Sequence, residues 1–434
     1  MKVGFYLDNS TVASVDCSTV GKGNPGIGGT EYMFLLISSM LSDRSNGIDV
    51  TFFTTSKFKF PEELKVKYCN GLAECVTIVE YEEFDFLVIK HDVEDNIYSN
   101  IFDRQNRLKT KVIVWAHVFM CYWELDYYAS NPNITRIVNV GKETLELNID
   151  HKAYDKSTYI FNAVNTSGAS EACKAHPFED RANVVTYIGQ LSPFKGFHLL
   201  AKAWKKILKE VPDAQLYIIG SGKLYDKNAT LGCYNIASSE YESQFMPYLT
   251  DDNGRILDSV HFMGVMGEEK NEILLRTKVG VPNPSGITET FCISAVEMQL
   301  MGARIATYRS PGFIDTVRNG ILGRKQSDLA DNIIKLLNSD ATDYAKAIEY
   351  IESNFSPVVV AEKWEKLFIG NLAVEGVRSN LGYRLKWAKM LMRKVKRHVG
   401  ILGRKLPVIE RILLYTERKL HGLVTYLDSD IKGF

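Results

Sequence analysis

Short runs of β-branched and aromatic residues recur along the chain, separated by stretches whose apolar positions repeat every three to four residues. The extended runs lie at 3–7 (VGFYL), 50–54, 86–90, 112–116, 136–140 and 158–161, and again at 184–188, 215–219, 260–263, 278–282 and 304–307. Between them Met33, Leu36, Ile37 and Met40 fall at i, i+3, i+4, i+7, and Leu199, Leu200, Trp204, Ile207 and Leu208 do likewise. Strands alternating with helices predict parallel sheets built from βαβ units. The alternation breaks at AVNTSGASEACKAHPFEDRAN, which is small, polar and aperiodic. This puts a linker over 166–183, between an α/β domain at 1–165 and a second at 184–356. Two doubly wound domains in series set the carboxyl ends of their strands against a shared cleft, where ligands bind.

Composition adds little to this picture, but charge changes it. The chain has 434 residues, 45% of them hydrophobic, enough for two cored domains. Seven scattered cysteines with no C-x-x-C pair indicate neither a disulfide framework nor a zinc site and fit a reducing cytosol. No run of about 18 apolar residues predicts a spanning helix, and no apolar leader predicts export. The 52 basic and 52 acidic residues cancel, yet residues 371–434 hold 14 Lys or Arg against 5 Asp or Glu, which leaves −9 on residues 1–370. The segment 374–434 is therefore a basic tail. From Arg384 to Arg397 its cations alternate with apolar residues at helical spacing beside Trp387, and a second such segment spans Ile409–Leu420. A basic amphipathic helix suits an anionic membrane surface; equally, it could pack on the enzyme or on a second copy. The acidic remainder argues against nucleic acid.

The candidate chemistry lies in ITETFCISAVEMQLMG, residues 287–302. Pro284, Ser285 and Gly286 stop the strand at 278–282, and a helix is expected from about Thr290 to a C-terminal Gly302, with Ile293, Val296 and Leu300 as its core stripe. Glu297 is drawn toward that apolar side and needs a partner, either a protein cation or the vicinal hydroxyls of a ribose. Backbone N–H groups of Thr290, Phe291 and Cys292 at the helix start offer a phosphate seat. Glu289 then lies beyond the phosphate.

With its strand, P-S-G turn and closing glycine, this stretch resembles the E-x7-E element of retaining family 4 glycosyltransferases of the GT-B fold, the glycosyl transferases of group 1. The flanking segments VVTYIGQLSPFKGFHLLAKAW, PDAQLYIIGSGK, VHFMGVMGEEKNEIL, PGFIDTVRNGILG and the amino-terminal GIGGTEYMFLLISSML extend the resemblance over about residues 1–370. It implies two Rossmann-like domains facing a cleft, a helix over 357–373 crossing back to the first domain, and an added basic helical extension. It further implies that Glu297 holds the ribose and Glu289 the donor sugar. Lys195 would neutralise the diphosphate, with Gly189, Gly264, Thr290, Phe291 and Cys292 around it. Gly28, Gly29 and Thr30 would face the diphosphate from the first domain, and His117 would meet the transferring sugar.

Two positions depart from the family pattern. Gln190 stands in place of its arginine, removing one cation from the leaving-group site, and Cys292 replaces the usual glycine. The implied reaction is metal-independent, with a nucleotide-diphosphate sugar as substrate rather than cofactor, UDP-sugar favoured over GDP-sugar. If the basic tail lies on a membrane, the acceptor is a glycan, lipid-linked or belonging to a cell-surface polysaccharide, at the cytoplasmic face; homo-oligomers are compatible with this. An epimerase or phosphorylase of the same architecture, or a sugar-nucleotide-binding protein without turnover, stays open. Each residue also has a plainer reading: Glu297 in a structural ion pair, Lys195 solvated, His117 as a satisfied strand-end residue, and the glycine loop as a turn. GSGK at 220–223 lacks the spacing of a phosphate-binding P-loop, and D-S-D at 428–430 lies far from any nucleotide fold.

Overall fold

The computed structural model describes residues 1–10, 15–44, 47–57, 59–91, 107–223, 230–287, 289–339, 344–372, 385–400, 402, 406–413 and 415–416. Arg384, the end of the second amphipathic segment at 417–420 and the acidic pair at 428–430 lie outside them. The first lobe runs β1 (Lys2–Leu7), α1 (Gly29–Asp43), β2 (Asp49–Thr54), β3 (Val66–Tyr68), α2 (Leu72–Tyr81), β4 (Phe86–Lys90), β5 (Lys111–Ala116), α3 (Tyr122–Ser130), β6 (Ile134–Asn139), α4 (Lys142–Glu146) and β7 (Ser157–Tyr159). After α5 (Ala169–Ala175), the second lobe runs β8 (Val184–Ile188), α6 (Phe197–Glu210), β9 (Gln215–Ile219), α7 (Ser239–Phe245), β10 (Val260–Gly264), α8 (Lys270–Leu274), β11 (Thr277–Gly280), α9 (Ile293–Leu300), β12 (Arg304–Tyr308), α10 (Pro311–Thr316), β13 (Gly320–Gly323) and α11 (Leu329–Leu337). The chain continues through α12 (Tyr344–Phe355), α13 (Pro357–Phe368) and α14 (Lys386–His398).

The first sheet has the order β3-β2-β1-β4-β5-β6-β7 and the second β10-β9-β8-β11-β12-β13, and the strands pair in parallel throughout. Each order grows outward in both directions from its first strand. Connections therefore reverse between β1 and β4 and between β8 and β11, leaving a crevice at the carboxyl ends of those strands.

Strands buried on both faces read as unbroken apolar runs, which is why FLVIK and VVTYI mark β4 and β8. β3 and β13 had no such signal: both are edge strands, and their sequences VKY and GILG are half exposed. Within the expected linker, residues 169–175 form α5, whose Ala169 and Cys173 are buried, with Cys173 Sγ 3.2 Å from the Leu300 carbonyl. Small residues weaken the helical pattern in the sequence but let α5 pack closely on α9.

The first lobe's core is continuous with the second. Trp364 of α13 packs edge-on against Trp115 and Phe5, with centroids 4.7 and 5.9 Å away. Phe161 and Phe355 meet Phe291 of the second lobe at 6.0 and 5.0 Å. Such aromatic contacts contribute about 1 kcal/mol each beyond their buried area, and they tie the floor of the cleft to both sheets.

The tail helix docks on the first lobe with its basic face inward. Lys386 pairs with Glu143 at 2.5 Å and with Glu146, and all three are buried. Lys389 pairs with Glu410 and donates to the Leu147 carbonyl, while Arg393 reaches the Ile149 carbonyl at 2.8 Å and Asp155 at 2.5 Å. Much of this helix's charge is thus neutralised by the protein itself, which is the reading that packs it on the enzyme. Among the described residues no helix is long and apolar enough to cross a membrane.

Candidate active site

The second lobe's switch point is built from two loops in van der Waals contact. Beyond β8 the chain turns through Ser192–Gly196, and beyond β11 through Asn283–Gly286. Gly196 has φ +69, and a Cβ there would lie 2.6 Å from the Ser285 nitrogen. Only glycine allows that approach. Asn283, at φ 35, also takes a backbone conformation that asparagine tolerates better than most residues. Its Nδ2 donates to the Ile287 carbonyl at 2.9 Å and to Glu289 Oε2 at 2.7 Å, while Ser285 Oγ lies 2.6 Å from its Oδ1. Glu289 is thereby fixed, and Lys195 Nζ meets the same Oε2 at 3.1 Å. A lysine and a carboxylate are thus held together at the mouth of the sheet.

The helix carrying the second carboxylate starts later than its sequence suggests. Cys292 is the N-cap, in the left-handed region at φ 67, and α9 begins at Ile293. Thr290, Phe291 and Cys292 therefore lie in the preceding loop: Thr290 Oγ1 donates to the His117 carbonyl at 2.6 Å, Phe291 fills the core, and the helical N–H groups facing the cleft start at Ile293. The left-handed Cys292 accounts for the fit of glycine at such a position, at a penalty of roughly 1–2 kcal/mol for any other residue. A Cβ on Gly29 would lie 3.3 Å from Ile293 Cδ1, so the amino ends of α1 and α9 abut. Both present unbonded N–H groups and a positive dipole end. Asn24 shapes the approach to α1 by accepting from the Gly26 and Ile27 amides at 3.0 and 2.9 Å.

Glu297 has a protein partner, which is the ion-pair reading of this residue: Lys270 Nζ lies 3.3 Å from its Oε1 and 3.4 Å from Glu268 Oε1. Burial pushes the Glu297 carboxyl up, and the Lys270 ammonium opposes that shift. The same side chain lines a cavity of mixed character between the lobes, with Asn24, Tyr32, Asn165 and Asn271 as well as Val164, Leu300 and Met301 around it. Glu297 therefore has one oxygen anchored on Lys270 and a face toward a space both lobes share.

On the first lobe, His117 follows β5 and packs on Trp115 and Phe34 at 4.6 and 6.0 Å. Burial, aided by the charge of Lys90, pushes its pKa down to about 3, so the ring is neutral, and its Nε2 has no hydrogen-bond partner among the described residues. Asp8, after β1, is held low against its partial burial by the Ser10 amide and the Thr55 hydroxyl. A latch between the lobes runs alongside. Asp315 of α10 accepts from the Glu143 amide at 2.9 Å, capping α4, and Thr144 Oγ1 donates to the Thr290 carbonyl at 3.3 Å. A Cβ on Gly141 would collide with both Asp315 and Thr290 at 2.8 Å. Burial pushes Asp315 up to about 8.

The structure gathers the expected residues into three groups around one cleft: Lys195 with Glu289; Gly28, Gly29 and Thr30 at the start of α1 against the start of α9; and His117 with Thr290. Gly189 lies beneath the first group, where its carbonyl packs on Gly220, and the Gln190 carbonyl accepts from the Tyr187 hydroxyl at 3.0 Å. Gly264, with φ +73, is exposed at the end of β10, and its carbonyl accepts from the Gly220 amide at 2.7 Å. Sequence reasoning missed Asn283, Lys270, Lys90 and the Asp315 latch. Their partners are distant in sequence or set by loop shape, and only the K-N-E-I-L helix start hinted at Lys270.

With this geometry in place, the likenesses to known proteins are informative. Residues 170–354, spanning α5 and the second lobe, match the family described as glycosyl transferases group 1. The chain is similar in structure to a glycosyltransferase from Rickettsia africae ESF-5, with a TM-score of 0.60 and 11% identity over 86% of this chain and 99% of that one. It is similar to Anabaena HepE in complex with UDP (TM-score 0.56, 17% identity, 85% and 100% covered). A third likeness is to the apo form of the lipopolysaccharide outer core galactosyltransferase WaaB (0.57, 14%, 86% and 100%). At these identities the likeness shows the fold alone, and the fold is the GT-B arrangement of two Rossmann-like domains. No curated protein sequence matches the chain.

Proposed function

We propose that the protein is a retaining, metal-independent glycosyltransferase that moves a hexose from a nucleotide-diphosphate donor, UDP-sugar before GDP-sugar, to a glycan acceptor. The observation that carries this reading is the Lys195–Glu289 pair at the second lobe's switch point, 3.1 Å apart, placed beside the abutting helix starts of α1 and α9. That arrangement suits a ligand with a dianionic centre and a neutral hydroxylated end. The diphosphate takes Lys195 and the helix N–H groups, the sugar hydroxyls take Glu289, and the ribose takes the Glu297 oxygen not bonded to Lys270. Its acceptor is a lipid-linked or cell-surface polysaccharide intermediate, approached from the first lobe past His117.

In the reaction the bond between the sugar's anomeric carbon and the diphosphate oxygen breaks while the acceptor hydroxyl oxygen attacks the same face. Its proton passes to the departing phosphate. Negative charge grows on the diphosphate as the sugar becomes oxocarbenium-like, so Lys195 and the helix dipoles stabilise the transition state more than the ground state. Neutral His117 adds no charge where cationic character develops. A second reading, sugar-nucleotide binding without turnover, draws on Gln190 standing where the family carries an arginine.

The test is release of nucleoside diphosphate from UDP- and GDP-hexoses, with and without a synthetic polyprenyl-diphosphate-linked sugar. Acceptor-dependent release with an α-linked product from an α-linked donor is expected. A new hexose isomer formed without acceptor would assign an epimerase, and binding without release would leave only the second reading.

A further inference from the structure

The helix α14 is mounted inside out. At about 100° per residue, Lys386, Lys389, Arg393 and Lys396 fall within one arc of about 80°, and this arc faces the protein. Lys386 and Lys389 are fully buried, and Lys396 donates to the Asp150 carbonyl at 3.0 Å. Trp387, Leu391, Val395 and Val399 recur every fourth residue on the opposite side and are 58%, 56%, 40% and 40% exposed. Lys394 and His398 stand exposed along it, and past the helix end Leu402 is 70% exposed. An amphipathic helix on a globular protein ordinarily buries its apolar stripe; here cations are buried against carboxylates while the stripe stays in water.

We propose that this outward face of α14 is a docking surface for an anionic lipid bilayer, lying in the headgroup layer with Trp387 at the boundary. Three observations select that occupant. First, charge: residues 1–370 carry −9, whereas Lys394 and His398 stand exposed beside the stripe, and each Lys or Arg near an anionic surface contributes about 1 kcal/mol; Lys386 and Lys389 are paired with buried carboxylates and add nothing to it. Second, mounting: the buried pairs pin the helix flat along the first lobe, so the stripe is presented lengthwise, as an interfacial helix lies. Third, area: 13 residues of helix give a strip of about 20 Å by 10 Å, or about 200 Å². A stable dimer needs about 800 Å² from each partner, so a second copy is the poorer fit. The inference stands on the tail alone and does not depend on the reaction proposed above.

Co-sedimentation of the full chain with lipid vesicles tests it. The protein is expected to pellet with phosphatidylcholine vesicles carrying about 30% phosphatidylglycerol and at least about tenfold less with phosphatidylcholine alone. The double variant Leu391→Glu/Val395→Glu is expected to lose at least about tenfold of the binding, while its unfolding temperature stays within about 2 °C because both sites are exposed. Trp387→Phe is expected to reduce quenching of the protein's fluorescence by brominated lipid. Equal partition of the double variant, or a wild-type protein that stays in the supernatant, overturns the proposal. So does a dimer, seen by light scattering without vesicle binding, that the double variant abolishes, since that outcome gives the face to a second copy.

Discussion

The two lobes share one strand order and place different chemistry at the same topological position. At the β8/β11 switch point and the helix after it, two carboxylates each carry a lysine, Lys195 on Glu289 at 3.1 Å and Lys270 on Glu297 at 3.3 Å. At the corresponding end of the first sheet stand a glycine loop and a histidine that burial keeps neutral. A lobe that fixes charges in pairs is prepared for a ligand that is itself charged and must be held still. The first lobe's switch point is charged too, by Asp8 after β1 and Lys90 at the end of β4, but the two do not form a close pair with each other, and the histidine beside them is neutral. The lesson is that a repeated fold specialises by which loops it charges, with the sheet left alone.

The comparison breaks most severely if Glu289 is altered. Glu289→Gln keeps the side chain's shape and its contact with Asn283 but removes the charge, and kcat for transfer is expected to fall about a thousandfold, equivalent to about 4 kcal/mol, with little change in unfolding temperature. A variant retaining more than a tenth of wild-type kcat would remove Glu289 from the chemistry. Next in size is Lys386→Ala, which leaves Glu143 and Glu146 buried without their cation and is expected to cost about 3 kcal/mol of stability by denaturant titration. A loss under about 0.5 kcal/mol would mean that the Lys386 pairs do not hold the tail on the first lobe.

His117 sharpens the contrast through pH. Its folded pKa, about 3, lies below the ordinary 6.5. Between those values the unfolded chain binds the proton and the folded one does not, so stability falls as pH drops from about 6.5 toward 3. From pH 7 to pH 5 this contributes a loss of about 2 kcal/mol, which His117→Asn is expected to remove. Identical acid limbs in the two proteins would place the ring in water. The smallest effect belongs to Cys292→Gly. Relief of the left-handed backbone is offset by lost packing in a buried site, and the net change is expected within about 1 kcal/mol. Calorimetry that finds a loss of 3 kcal/mol or more would show that the cysteine side chain, rather than the backbone, shapes the start of α9.

Most of the sheet framework was legible in the sequence because interior parallel strands are apolar on both faces. The edge strands β3 and β13 were not, since one open side allows VKY and GILG to carry lysine, tyrosine and glycine. Glu289, Glu297 and Lys195 were legible as residues through the spacing of their motifs. Their partners were not: Asn283 reaches Glu289 only because of a left-handed turn, and Lys270 meets Glu297 across two elements. The tail was legible as a basic amphipathic helix, yet which side faces the protein depends on Glu143, Glu146 and Asp155, more than 230 residues earlier in the chain.

The central claim is that a nucleoside diphosphate lies across the second lobe with its phosphates at Lys195 and its ribose at Glu297. Calorimetric titration of UDP and GDP into the wild type, Lys195→Ala and Glu297→Gln tests it directly. The account predicts binding by the wild type and at least about tenfold weaker affinity, about 1.4 kcal/mol, in each variant. Unchanged affinity in Glu297→Gln would contradict it, leaving that carboxylate as the structural partner of Lys270 alone.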